Sequence, residues 1–468
     1  MNAGITQKIN RYFGGLSDEA VRKLDEAFHR EVEARNIRYV NDAGSPRDIR
    51  LVLRPWLFTQ KEARFFHRII FRLKEAQRKL FFLYLREKII QDTLPLRPKE
   101  KEWFALVNKN KPQKYQIVFD RWDTNVSFNL QGFHQIQFLE TNTVGIGGIH
   151  YIPAVSEALK AVLYRQLNAQ MPAHLLNHQA DPRRLLAEEI KRHARLIGRR
   201  NLNVAFMEDR EYLGGTVELE ELTRYFLKLG ITTVLTDPRD LKLKGKEIYC
   251  KGKNIDIIYR DSELQELIDF EEKGHSMSAL KQAFSNNQII SSISGELDHK
   301  SVFEIFSSPQ FRKFFSAQEQ RLFREYIPWT RILNERFTTD DKLHEIDLAP
   351  YVIKNKNKLI IKPNRAYGGE GVVIGKLATC AQWREYVKRA IKNPGDFVAQ
   401  KLVRIPQEVF PYFNARHKIE FDKFYSVSGI VVTRNSIAAL GRFSKNMVVN
   451  VARKGGIIPT FQLAGKDQ

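Results

Sequence analysis

The chain has 468 residues, 43% of them hydrophobic and 28% charged, with 76 basic against 54 acidic side chains and a formal net charge of +22. That composition is globular and excludes disorder over most of the chain, and the length predicts two or three lobes rather than one core. Two cysteines, Cys250 and Cys380, exclude a disulfide framework and a cysteine-held zinc or iron–sulfur site.

The cysteine count fits a reducing compartment. The apolar runs are short, Leu80 to Leu85 being typical, and far below the ~20 residues of a membrane span. The opening MNAGITQKINRYFGG lacks the apolar core of a signal peptide. The expectation is therefore a soluble cytoplasmic protein. Residues 1–120 hold 25 basic and 15 acidic side chains, residues 121–350 hold 30 and 32, and residues 351–468 hold 21 and 7. The net charges are +10, −2 and +14. A basic lobe steers polyanions of any kind, including a nucleoside triphosphate. No zinc finger, basic zipper or RNP-type aromatic motif accompanies it, so no specific nucleic-acid reading is expected.

In chain order, Ser17 precedes a helical pattern over 16–36, with Val21, Leu24 and Phe28 at helical spacing. A longer amphipathic helix follows Thr59. Phe66, Ile69, Ile70, Leu73, Leu80, Leu83 and Tyr84 form its apolar stripe. QIVFDRWD and HQIQFLETN, within 116–142, read as strands. Helical patterns return over 153–170 and 182–199. From Asn203 the text reads as an α/β unit: strand NVAFMED, a helix ending at Gly230, and strand ITTVLTD. A hairpin-like stretch to Asp261 closes it. Residues 275–347 read as largely helical, and a mixed α/β region runs from Lys358 to the end.

Three stretches carry chemistry. In LIIKPNRAYGGEGVVIG (359–375) a strand with Lys362 leads through Gly368, Gly369 and Gly371 into a second strand. Glycines let backbone N–H groups approach an anion, and the lysine adds a point charge. The spacing is not that of a Walker loop, and the loop enters a strand rather than the helix of a dinucleotide fingerprint. It reads equally as a tight turn. In FDRWD and FLETN, alternation puts Arg121 with Asp123 on one strand face and Glu140 with Asn142 on another. If the strands pair, three oxygen ligands converge beside an arginine, a set suited to Mg²⁺. An ordinary sheet face with a structural Arg–Asp pair is the alternative. The glycine cluster Thr143–Gly148 is a turn or a clasping loop. The third stretch has two parts. Gln400–Lys401–Leu402 end a strand in a hinge whose backbone could face an adenine edge, or in a plain solvated turn. Arg442, Ser444, Asn446, Asn450 and Arg453 are polar among apolar residues before the Lys454–Gly456 turn.

Taken in order, from LVLRPWLFT (51–59) to GGIIP (455–459), these stretches resemble the circularly permuted ATP-grasp ligases, the group of glutathionylspermidine synthetase and eukaryotic glutathione synthetase. Glu140-x-Asn142 precedes the Lys362 strand by more than 200 residues, as permutation implies. The resemblance implies an α/β (α+β) fold, a permuted ATP-grasp core with a helical N-terminal region and an inserted Rossmann-like lobe. It implies ATP and Mg²⁺ as cofactors. Asp123, Glu140 and Asn142 would be the metal ligands. Arg121 would hold the transferred phosphoryl group, with Arg442 a late arginine near it. Lys362 and Gly368, Gly369 and Gly371 would clamp the ATP phosphates, with Lys300 a second phosphate-facing cation. Gln400, Lys401 and Leu402 would form the adenine hinge. Glu370, inside the glycine loop, would be a metal ligand or point to water.

The expected organisation is a helical region (1–115), metal-binding strands and helices (116–200), a Rossmann-like substrate lobe (201–295) and nucleotide-binding lobes (296–468). The implied activity is a carboxylate–amine ligase acting through an acyl phosphate. Its partners would be a small-molecule or peptide carboxylate and an amine. The resemblance also leaves room for a homo-oligomer. Too few residues precede the core for an amidohydrolase-like domain, which argues against glutathionylspermidine chemistry. A small-molecule kinase of the same fold, or a basic protein that binds anionic polymers, is the alternative.

Overall fold

A computed structural model describes residues 2–40, 45–107, 117–128, 136–166, 176–211, 217–366, 368–449, 451 and 455–463. Asn450, Arg453, Lys454 and Tyr367 of the stretches above lie outside the described residues. No described helix is long and apolar enough to cross a membrane, and both cysteines are free.

The early helices start where their capping residues stand. Ser17 accepts the Ala20 N–H ahead of helix Asp18–Ala34. Thr59 opens helix Gln60–Tyr84 with a reciprocal pair: Thr59 Oγ1 accepts from Glu62 N–H at 3.2 Å, and Glu62 accepts from Thr59 N–H at 2.6 Å. Two orphan N–H groups are thereby satisfied. Phe66, Ile69, Ile70, Leu73, Leu80 and Tyr84 are buried as their spacing requires, and Leu83 lies half-buried at the stripe's edge.

Three sheets frame the molecule. The largest runs Arg50–Leu51, Gly456–Ile458, Ile437–Ser444, Ile419–Val432, Arg121–Thr124, Phe138–Asn142, and Gln407–Phe413 joins the long strand's other end. Strand Arg121–Thr124 is therefore inserted beside residues 428–431, some 300 positions later. The second sheet is antiparallel, in the order Thr330–Ile332, Phe397–Lys401, Leu359–Pro363, Val373–Ile374. Alternation divides its faces. Leu359, Ile361, Phe397 and Ala399 pack with Leu348, Val352, Trp383 and Val387 of helices Leu348–Lys354 and Cys380–Lys392. Ile360, Lys362 and Gln400 face the other way, into a cavity.

The third sheet is parallel: Ile289–Ile290, Ile257–Arg260, Asn203–Met207, Thr232–Thr236. Helix Glu218–Lys228 lies between its first and second strands in chain order and ends with Gly230 at φ +73°. The stretch before Asp261 is a three-stranded meander, Lys242–Lys244, Glu247–Cys250, Lys253–Ile255, rather than a single hairpin. The largely helical reading of 275–347 holds only to Tyr326; Thr330–Ile332, Phe337–Thr339 and Glu345–Asp347 are strands. Thr330 and Ile332 complete the second sheet, so cross-strand pairing decides the state of a segment whose local pattern is ambiguous.

A two-signed cavity between the sheets

The strands Arg121–Thr124 and Phe138–Asn142 pair antiparallel, with Arg121 opposite Asn142 and Asp123 opposite Glu140. Their four polar side chains all line one cavity of ≈ 560 Å³. On the other flank of the arginine strand, Gly429 stands opposite Asp123. A Cβ there would come within 2.8 Å of both Arg121 Cδ and Asp123 Oδ1, so the missing side chain is what leaves room for the pair.

Asp123 sits between two guanidinium groups. Arg121 Nε donates to its Oδ1 at 2.9 Å, and Arg442 Nη2 reaches Oδ2 at 2.7 Å. Burial pushes the Asp123 carboxyl up, but the charges and hydrogen bonds of the two arginines outweigh it and hold it down at about 2. Arg121 Nη1 also donates to Gly147 O at 2.6 Å. Lys362 is buried and donates to Leu139 O at 3.2 Å. Burial pulls its ammonium down to about 8, against the opposing pull of Glu140. Lys300 donates to Ala366 O at 2.7 Å and lies 3.5 Å from Glu140. These four cations outnumber Asp123 and Glu140, the carboxylates that touch them in these contacts.

Gly368 and Gly369 line the same cavity, with φ of +63° and +72°. A Cβ at Gly369 would meet Val448 Cγ1 at 2.5 Å. Gly371 (φ +63°) turns the loop and stands outside the cavity lining; its Cβ would meet Pro363. Glu370 is exposed, also outside the lining.

The expected hinge divides between two cavities. Gln400 lines the cavity and donates to Thr330 Oγ1 at 3.0 Å, and Leu402 lines it too. The backbone N–H of Lys401 is given to Trp329 O and that of Leu402 to Lys358 O, both at 2.8 Å. Those two donors are not available to an adenine edge. The Lys401 side chain turns to Asp341 at 2.6 Å, on a second cavity beyond the strand. Strand alternation is the reason: Gln400 and Lys401 are neighbours and so face opposite ways.

An acidic part of the lining carries no motif in the sequence, and it reaches the cationic part where Glu218 and Arg121 flank Gly147. Glu208, Asp209, Glu218, Asp261, Glu263 and Glu266 form it. Glu208 follows strand Asn203–Met207 and Asp261 follows strand Ile257–Arg260, so both lie at carboxyl ends of neighbouring parallel strands. That is where open α/β sheets bind ligands, and an acidic residue straight after each strand was the legible signal. Asp209 is held by Arg239 at 2.9 Å. Burial, with Asp261 nearby, pushes the Glu208 carboxyl up to about 7. Burial pushes Glu218 up to about 7 as well, against hydrogen bonds accepted from the N–H groups of Gly148 and His150 at 2.8 Å each. Glu218 thereby fixes the glycine turn, where Gly145 (φ +57°) and Gly148 (φ +103°) line the cavity.

No family model and no curated protein matches the chain. Among solved structures, the apo form of a glutathione synthetase-like effector from Globodera pallida superposes with a TM-score of 0.61 at 12% identity, covering 96% of this chain and 98% of that one. The fold is glutathione synthetase-like. A protein described as a gamma-glutamylcysteine synthetase from Methylobacillus flagellatus (TM-score 0.38, 9% identity, 84% of this chain and 88% of that one) and D-alanyl-alanine synthetase A from Vibrio cholerae (TM-score 0.26, 9% identity, 56% and 88%) are also similar. At those two scores the likeness carries no argument.

Proposed function

We propose that the protein is an ATP-dependent carboxylate–amine ligase of the permuted ATP-grasp type. The observation that carries this reading is one cavity lined both by Arg121, Arg442, Lys300 and Lys362 and by carboxyl groups built on the parallel sheet. A polyphosphate suits the first and an ammonium-bearing substrate the second. The glutathione synthetase-like fold of the superposed effector supports it at the level of architecture.

Mg²⁺ fits the donor set. Glu140 and Asn142 offer hard oxygen ligands, and the unpartnered Nδ2 of the buried Asn142 amide is a donor that a phosphate oxygen beside the ion would satisfy. Asp123, the third donor, would give up one arginine contact. When bound, the ion would supply charge neutralisation to phosphate oxygens. The chain's own groups would do the rest. Lys362, Lys300 and Arg121 would neutralise charge on the transferred phosphoryl group, since such transfer depends mainly on positioning and electrostatics. Gly368 and Gly369 would let the loop close on the nucleotide and exclude water.

The substrate carboxylate attacks the γ-phosphorus and ADP leaves. The amine then attacks the acyl carbon of the resulting acyl phosphate, and phosphate leaves. An ammonium must lose one proton before it attacks and the amine a second afterwards. Glu208, titrating near 7, is the group proposed to take one of them.

Calorimetry with MgATP tests the site. Wild type is expected to bind in the micromolar range, and Glu140→Ala and Lys362→Ala to bind more weakly. ADP release that requires an added amine would mark ligation. ADP release with an acid or alcohol and no amine would mark a kinase. Binding indifferent to both changes would overturn the site.

A further inference from the structure

Away from this cavity, helix Asp18–Ala34 and the turn joining Gln407–Phe413 to Ile419–Val432 bring together Asp25, His29 and His417. One ring nitrogen from each histidine and one Asp25 oxygen lie within 4.8 Å of one another. None of the three lines the ligand cavity.

We propose that Asp25, His29 and His417 form a zinc site that clips helix Asp18–Ala34 to this hairpin. Asp25 is only 5% exposed, yet its Oδ1 has no hydrogen-bond partner. A carboxylate oxygen buried so deeply is normally satisfied. It faces His29 Nδ1 at 3.3 Å, a nitrogen that also stands 3.1 Å from the Asp25 carbonyl and must give up that contact to an ion, and Oδ2 faces His417 Nδ1 at 2.7 Å. Ligands bonded to tetrahedral zinc at ~2.0–2.1 Å stand about 3.3 Å apart. The two separations run to different oxygens of the one carboxylate; the first matches, and the second opens by a few tenths of an ångström when an ion replaces the proton between the two groups.

Two imidazoles with one carboxylate select zinc over magnesium or calcium, which take oxygen ligands. The rings are 53% and 67% exposed, so an ion can enter and keep water in its fourth position. The sequence could not announce this site. Asp25 and His29 are one helical turn apart, but His417 lies 392 residues from Asp25. Its backbone is left-handed (φ +57°) in a turn whose amides are gathered by Asn414. The Phe28 and Phe413 rings, 5.9 Å apart, seat the helix on the hairpin beside it. The inference stands apart from the ligase reading.

The test uses the full chain, stripped with a chelator and titrated with Zn²⁺ by calorimetry and with Co²⁺ by absorbance. One tight site per chain is expected, with four-coordinate cobalt bands. A zinc excess of ~100-fold over Kd should raise Tm by about 2–4 °C. The double variant His29→Gln/His417→Gln should lose the site, the bands and the Tm shift, while Glu140→Ala should keep all three. Stoichiometry unchanged in the double variant, or zinc without effect on wild-type Tm, would overturn the proposal. If the double variant folds poorly, His29→Gln alone decides: a tenfold or greater loss of affinity supports the site, and unchanged affinity rejects it.

Discussion

The cationic and the acidic linings of the cavity are built by different kinds of chain. The cationic lining rests on antiparallel strands whose polar residues alternate with core residues, Arg121 and Asp123 around Trp122, Glu140 and Asn142 around Thr141, Lys362 after Ile361. Its charges are paired along one strand, Arg121 with Asp123, and between strands, Arg442 with Asp123, in buried contacts. The acidic lining rests on the termini of parallel strands and the first turns of helices. There carboxyl groups face one another, and burial drives Glu208 and Glu218 up to about 7. Opposite charges in contact fix a geometry. Carboxyl groups buried without a counter-ion hold a proton to higher pH. A cavity with both can hold an anion rigidly and exchange a proton with what sits beside it.

The contrast can be broken most severely at Asp123. Asp123→Asn removes the counter-charge of two buried arginines. Leaving such charges uncompensated costs about 3–5 kcal/mol, to be read from urea unfolding, and nucleotide binding should fall with it. The wild-type contribution has a defined sign. With its folded value near 2, below the ordinary 3.8, Asp123 stabilises fully above that ordinary value and loses its contribution as pH falls towards 2. An acid unfolding profile for Asp123→Asn that matched wild type would contradict the pairing.

In the same lining, Lys362→Ala removes one charge-assisted contact, and MgATP affinity should fall roughly 10–100-fold by calorimetry. Gly429→Ala tests the room beside the pair without touching a charge. Its Cβ must displace Arg121 or Asp123, so a loss of about 1–3 kcal/mol in stability is expected.

The acidic lining should behave oppositely with pH. Glu208 has its folded value raised above the ordinary 4.5 to about 7. It therefore favours the fold most below 4.5, and that contribution is lost as pH rises through 7. Relative to wild type, Glu208→Gln should gain stability between pH 5 and pH 8, as measured by Tm at a series of pH values. Lys401→Ala should do least. Its side chain faces another cavity, so MgATP affinity should change less than about twofold. A large loss there would place the Lys401 side chain against the nucleotide instead.

Local chemistry determined much of this protein by itself. Ser17 and Thr59 set helix starts, glycines set the turn between Lys362 and Val373, and period-2 alternation put Arg121 beside Asp123 and Glu140 beside Asn142. Each rests on contacts within a few residues, which a sequence displays directly. Tertiary structure alone decided what those pieces meet. Gly429, about 300 residues after Asp123, opens the space beside it. Trp329 and Lys358 take the hinge N–H groups that looked free. Glu208 and Asp261 share an acidic wall only because their strands are neighbours in a parallel sheet, and Asp25 meets His417 across 392 positions. Partners at such separations are chosen by sheet order and register, and residue spacing carries no record of either.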